Sequence, residues 1–229
     1  MHPILLKTAH FTLYSYGLCM ALAVILAWVL SSRMARQAPY SVSQAGDILF
    51  VAFVSGIAGA RLFYVFQHLS QYEGGWQKVF FLQEGGLVWY GGFIGAVSCT
   101  VLYACWQRLP VLSWADLFSP ILALSQAVGR VGCYLNGCCF GRTGHPVQLY
   151  ESALSAILAV FLFIRFRRRK NEGEVVAFYL LGYGLLRFGL EFLRGDQTVH
   201  FGLTLPQYIS LAVFASGVWL YVRVHRSHR

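Results

Sequence analysis

The feature that most constrains this chain is a series of apolar runs, each close to the length that crosses a bilayer. A membrane helix needs about 20 mostly apolar residues, and such runs fall at 11–30, 47–66, 87–106, 111–127, 148–166, 175–193 and 205–222. In hydrocarbon every backbone N–H and C=O must find a partner within the protein, so runs of this length predict helices. Composition agrees: of 229 residues, 57% are hydrophobic and 12% charged, whereas soluble domains carry about a quarter charged residues. The expected fold is all-α, a polytopic membrane bundle of about seven transmembrane helices over residues 1–229. No Pro- or Ser-rich linker and no repeat period divides it. The first run ends in a basic stretch without a small-residue cleavage site, so it is expected to stay as a span.

Charge placement predicts orientation. Arg33 and Arg36, then Arg108, then Arg165, Arg167, Arg168, Arg169 and Lys170, then the tail with Arg223, Arg226 and Arg229 all fall on one side of the spans. The loop with Glu73 and Glu84, the glycine-rich run 129–142 and the loop with Asp196 fall on the other. By the positive-inside rule the basic side is cytoplasmic, with the N-terminus outside and the C-terminus inside. The net charge of +9 is thereby accounted for by loops. No soluble basic face is left for nucleic acid, and that class is excluded.

Polar groups at membrane depth carry the chemistry, because each is a functional hypothesis. Arg61 lies toward the outer end of the second span, Arg130 caps the fourth, and Arg187 and Glu191 sit in the sixth, while Glu151 opens the fifth. One reading makes these structural ion pairs, such as Arg187 with Glu191 at i,i+4 spacing. The other has arginine bind phosphate, whose oxygens match the guanidinium fork. Gly129, Gly132, Gly137 and Gly141 are expected to interrupt regular helix after the fourth span. Irregular backbone there is expected to line a cavity, one wall of a site for an anionic lipid group. The pairs Gly85-Gly86 and Gly91-Gly92 flank Trp89 and Tyr90. They either allow close helix packing or admit a lipid or peptide to the backbone, with Glu84 as a solvated loop charge.

Cys19, Cys99 and Cys105 lie in apolar spans and are expected as small buried residues. Cys133, Cys138 and Cys139 are clustered, and four readings stay open for them. One is a disulfide from Cys133 to Cys138 or Cys139; the others are unpaired packing, metal binding with no histidine at ligand spacing, and a cysteine nucleophile. His10, His145 and His200 form no triad or HExxH pattern, so ordinary hydrolase chemistry is absent.

Taken together, the motifs resemble those of bacterial prolipoprotein diacylglyceryl transferases, as a divergent, short member. The matching parts are Tyr16-Gly17, Gly59-Ala60-Arg61-Leu62-Phe63-Tyr64, Gly85-Gly86-Leu87-Val88-Trp89-Tyr90-Gly91-Gly92 and the run from Asp116 to Pro120. They continue with Gly129-Arg130-Val131-Gly132, Asn136-Gly137, Gly141-Arg142, Pro146-Val147-Gln148-Leu149-Tyr150-Glu151, Gly182-Tyr183-Gly184-Leu185-Leu186-Arg187 and Glu191-Phe192-Leu193-Arg194. The resemblance implies transfer of diacylglyceryl from phosphatidylglycerol to the lipobox cysteine of a prolipoprotein signal peptide, with glycerol phosphate leaving. It implies no cofactor, and a place in the bacterial inner membrane with the site on the outer side. Arg130, Arg187, Tyr90 and Tyr183 are then the catalytic candidates. Tyr16, Arg61, Asn136, Gly137, Gly141, Glu151 and Glu191 are the candidates for holding substrate and membrane lipid.

Two departures mark this sequence. Tyr90 stands where the family usually has histidine, and a phenol, ionising at about pH 10, is a far weaker base than imidazole at neutral pH. Cys133 stands where the family has asparagine, and Cys138 where it has an acidic or amide residue. The alternatives are a paralogue using another lipid or acceptor, or a non-catalytic protein binding lipid or precursor. A transporter is disfavoured, since the halves show no inverted repeat.

Overall fold

The computed structural model describes residues 3–7, 12–36, 40–72, 76–81, 85–141, 144–194, 199–200 and 202–226. His10, Glu73, Glu84, Arg142, Asp196 and Arg229, and the side chains of Trp76, Lys78 and His200, lie outside them. The helices are α1 (Ser15–Ala35), α2 (Val42–Gln67), α3 (Trp89–Trp106), α4 (Val111–Asn136), α5 (Val147–Arg168), α6 (Glu174–Glu191) and α7 (Leu205–Arg226). Two small antiparallel hairpins accompany them: β1 (Ile4–Lys7) with β2 (Thr12–Tyr14), and β3 (Val199–His200) with β4 (Leu203–Thr204). Residues 12–14, assigned to the first span from sequence, thus form a strand instead.

Of these helices, α1, α2, α4, α5 and α7 are long and apolar enough to cross a membrane. The other two are 18 residues each. Trp, Tyr and Gly dilute the apolar character of α3, and α6 carries Glu174, Arg187 and Glu191.

The chain forms two compact units, Met1–Met34 with Leu112–Arg229, and Ala35–Val111. In the first, α4 is the most deeply buried helix, with Asp116, Leu117, Ser119, Ile121 and Ala123 almost fully enclosed. Ala123, Ala159, Leu162 and Val175 join α4, α5 and α6 in one apolar cluster, and Ala177, Leu220 and Val224 join α6 to α7.

The expected break after residue 127 does not occur. Helix α4 runs through Gly129 and Gly132 to Asn136. At Gly132 the missing side chain serves packing: a Cβ there would lie 2.9 Å from Cys19 Cβ and 3.3 Å from the Tyr16 ring. The glycine thus lets α1 approach α4, as small residues do between membrane helices. Irregular backbone begins at Gly137, whose φ is 78°. Cys138 N–H donates to Cys133 O and Gly137 N–H to Tyr134 O, both at 3.2 Å, which is the Schellman way of closing a helix on a left-handed glycine.

At the opposite end of α4, the buried Asp116 carboxylate accepts from Gly173 N–H and Val176 N–H, each at 2.8 Å. A side chain of one helix thereby caps the N-terminus of another, satisfying donors that α6 cannot satisfy itself. Arg169 Nη1 lies 4.0 Å from the same carboxylate, and Arg165 pairs with Glu174 in the first turn of α6.

The second unit packs α2 on α3 backbone to backbone. A Cβ on Gly59 would meet Gly91 O at 2.5 Å, and one on Gly95 would meet Ser55 O at 2.6 Å. The close-packing role therefore describes Gly91 and Gly92, the latter facing Gly56 O at 3.2 Å by the same measure. The segment between the helices holds 3-10 turns at Leu69–Tyr72 and Trp76–Phe80.

Replacing the capping carboxylate tests this architecture. Asp116→Ala leaves two buried donors bare, and its thermal unfolding in detergent is expected to show a loss of about 2–4 kcal/mol, each orphaned buried donor costing about 1–3 kcal/mol. Asp116→Asn, which keeps one acceptor oxygen, is expected to lose about half as much.

Candidate functional site

The first unit gathers most of the residues singled out from sequence. Arg130 on α4 and Glu151 on α5 meet at 2.9 Å between Nη2 and Oε1, with the arginine side chain 23% and the glutamate 4% exposed. Arg187 Nη1 on α6 lies 2.8 Å from Glu191 Oε2 at i,i+4 spacing, and that carboxylate is fully enclosed. Its other oxygen accepts from Thr204 Oγ1 at 3.0 Å, while Gln207 Oε1 accepts from Thr204 N–H at 2.9 Å. Glu151 and Glu191 thus each face a guanidinium, which makes their burial tolerable.

Tyr183 lies within range of both pairs. Its hydroxyl lies within the fields of Glu151, Arg187 and Arg130, and its ring stacks on Tyr179 at 5.8 Å. Tyr16, in the first turn of α1, lies within the fields of Arg130 and of the thiols of Cys133, Cys138 and Cys139. Asn136, exposed, is the last residue of α4, and Gly137 turns the chain beyond it. Gly141 donates its N–H to His145 O at 3.2 Å and pairs as a β-bridge with Arg194. A Cβ there would stand 2.8 Å from Leu193 O, so only glycine lets these two segments meet.

Arg61 and Tyr90 belong to the second unit. Arg61 is buried, and its guanidinium donates to Val79 O (2.8 Å), Phe81 O (3.1 Å), Gly85 O (2.6 Å) and Gly86 O (3.3 Å). It also lies 5.8 Å from the ring centres of Tyr64 and Tyr72. A fork of five N–H donors already engaged by four carbonyls organises the loop around it and has little capacity left for an anion. Gly85 and Gly86, at φ 79° and 78°, turn those carbonyls inward. Tyr90 sits in the first turn of α3, 39% exposed, with its ring edge-on to Trp89.

Sequence reading gave several members no role. Arg194, at the foot of α6, lies within the fields of Arg130 and of Cys139. Gln148 donates to Cys138 O at 2.5 Å, and Ser152 Oγ to Ala127 O at 2.8 Å, binding α5 to α4 and to the turn beyond it. Thr204 escaped notice because its partner Glu191 lies across a loop, and Gln207 because it acts on Thr204. The six cysteines are free thiols, Cys19 buried and Cys99 and Cys105 exposed on their helices. Burial first, then the hydrogen bond and charge of Cys138, raise the Cys139 pKa, while Arg194 and Arg130 pull it down.

Chemically, the arrangement is a set of arginines held by buried carboxylates, with two phenols and three thiols alongside. Arg130 spends one nitrogen on Glu151 and keeps further N–H donors, and it faces the like charge of Arg194. Two guanidiniums in mutual range favour an anion between them, and phosphate oxygens suit their geometry.

The chain is similar to bacterial proteins. The model of a family described as prolipoprotein diacylglyceryl transferase matches residues 3–223. The phosphatidylglycerol–prolipoprotein diacylglyceryl transferase of Clostridium tetani is 29% identical over 242 residues, covering 96% of this chain and 97% of the relative. The protein of the same name from Streptococcus uberis is 30% identical over 240 residues, covering 94% and 92%. That from Finegoldia magna is 32% identical over 222 residues, covering 91% and 90%.

The ion pair across α4 and α5 has a measurable signature. Glu151→Gln strands the Arg130 charge, and unfolding in detergent is expected to show a loss of about 2–3 kcal/mol, less than for a fully buried pair because Arg130 is partly exposed. Adding Arg130→Gln to that variant is expected to restore part of the loss, since the stranded charge is then gone.

Proposed function

This chain belongs to the prolipoprotein diacylglyceryl transferase family, and on that premise we propose that it transfers diacylglyceryl from phosphatidylglycerol to the lipobox cysteine thiol of a prolipoprotein. The observation that carries the proposal is the pairing of Arg130 with Glu151 and of Arg187 with Glu191, with Tyr183 within the fields of both. On this reading the guanidiniums stand at the depth of a phospholipid headgroup. The acceptor sulfur attacks the glyceryl carbon that bears the phosphate oxygen. A C–S bond forms, the C–O bond breaks, and glycerol phosphate leaves with the electron pair and takes up the thiol proton. Charge develops on the leaving phosphate, where Arg130 and Arg187 stabilise it. Tyr16, Asn136, Gly137 and Gly141 shape the approach to this anion, and Glu151 and Glu191 hold the arginines in place. Arg61 orders the loop that precedes α3, and the Tyr90 hydroxyl takes part in proton transfer.

The proposed setting is the bacterial inner membrane, with α3 and α6 crossing alongside the five longer helices. The N-terminus and the C-terminal end of α4 face outward, and the C-terminus faces the cytoplasm. The basic residues that close α1, α5 and α7 support this orientation. A green fluorescent fusion at the C-terminus is expected to fluoresce and an alkaline phosphatase fusion to be silent; the reverse pattern sinks the orientation.

Activity is tested with the purified protein in detergent, labelled phosphatidylglycerol and a synthetic lipobox peptide. Wild type is expected to label the cysteine peptide and not its serine counterpart. Arg130→Gln is expected to reduce kcat about 100-fold or more, the usual cost of removing one donor to developing charge. Tyr90→Phe is expected to lower kcat and leave KM unchanged. Undiminished transfer by folded Arg130→Gln would refute the headgroup role.

A further inference from the structure

The sulfur atoms of Cys133, Cys138 and Cys139 all lie within 4.8 Å of one another. Backbone geometry builds this convergence. Cys133 carries the carbonyl that closes the C-terminus of α4, accepting from Cys138 N–H at 3.2 Å. Gly137 reverses the chain, and Cys139 itself holds a left-handed φ of 65°, a conformation that non-glycine residues rarely adopt. Gln148 pins the turn from α5 through its 2.5 Å bond to Cys138 O. All three thiols are free and half-buried.

Tetrahedral zinc holds thiolate sulfur at about 2.3 Å, which sets neighbouring sulfurs about 3.8 Å apart. Side-chain adjustments of about 1 Å therefore suffice to close the three sulfurs on one ion. Three thiolates on a divalent ion leave net negative charge, which two guanidiniums partly offset against the cost of burial. Arg130 lies within the field of Cys133, and both Arg194 and Arg130 within that of Cys139. Three protein ligands with one position open is the pattern of a reactive zinc site, whereas a structural site is closed by a fourth ligand. Tyr16, within the fields of all three thiols, places the cluster beside the arginines of the candidate site.

We propose that Cys133, Cys138 and Cys139 bind a divalent cation of the zinc class and leave its fourth position to the acceptor cysteine thiol. The inference rests on the transferase function proposed above and supplies its thiol activation. On coordination the acceptor thiol gives up its proton, which glycerol phosphate takes up from solvent as it leaves, and the sulfur remains as a metal-held thiolate. Its sulfur forms the C–S bond as the C–O bond breaks, and the electron pair leaves on glycerol phosphate. The product thioether is a neutral, weaker ligand and departs, returning the ion to its three cysteines. No electron is gained or lost.

Reduced full-length protein in detergent is dialysed against buffered zinc, and its metal content is measured. About one zinc per chain is expected, falling about tenfold or more in Cys138→Ser. Cobalt substituted into the wild-type protein gives a readout independent of the variant's folding. Thiolate-to-cobalt charge transfer and tetrahedral d–d bands are expected, shifting when the cysteine peptide is added and unmoved by the serine peptide. Absence of stoichiometric metal, or a disulfide from Cys133 to Cys138 or Cys139 in protein from cells, overturns the site. A cobalt spectrum blind to the cysteine peptide overturns the fourth position. Full transfer by metal-free protein overturns the metal inference and leaves the proposed function standing. Metal-bound protein that takes the thiol peptide but no diacylglyceryl from phosphatidylglycerol supports the site and overturns the donor.

Discussion

Charge cannot stand bare in hydrocarbon, and both units of this protein are arranged around that restriction. In the first, Arg130 meets Glu151, Arg187 meets Glu191, and Asp116 is held by two amides with Arg169 nearby. In the second, Arg61 is answered by backbone carbonyls, with no carboxylate among its hydrogen-bond partners described above. The two solutions have different uses. A carboxylate partner fixes an arginine while leaving donors for something else, whereas a ring of carbonyls consumes the guanidinium and shapes the loop.

How much of this was legible in the sequence follows from the range of each signal. Helix positions could be read because an apolar run reports on its own neighbourhood. The end of α4 was misplaced because Gly132 looks the same whether it breaks a helix or admits a neighbour, and the deciding contact, Cys19, lies on α1. Arg187 with Glu191 could be read from i,i+4 spacing, while Arg130 with Glu151 spans two helices and leaves no local trace. Among the candidates, Arg61, Arg130, Arg187, Glu151 and Glu191 stood out as charges at membrane depth, and Tyr16, Asn136 and Tyr183 through family motifs. The supporting contacts of Gln148, Ser152, Thr204 and Gln207 came only from structure.

Glycine does three separate jobs here, and only the coordinates tell them apart. At Gly59 and Gly91 it removes bulk so that two helix backbones touch. At Gly137 and Gly86 it supplies a left-handed turn, one ending a helix and the other presenting a carbonyl to Arg61. At Gly141 it lets the segment after α4 pair with the segment after α6. A composition rich in glycine therefore reads as flexibility in sequence and as close contact in the folded chain.

The capping carboxylate also bears on how such a protein is made. Asp116 is synthesised well before the amides of Gly173 and Val176 that it will hold, and Arg130 before Glu151 on the next helix. During translation α4 thus emerges with an acid and a base that both await partners downstream. Neither charge of α4 is answered in full until α5 and the start of α6 are in place. Arg187, whose partner lies one turn further along its own helix, imposes no such delay.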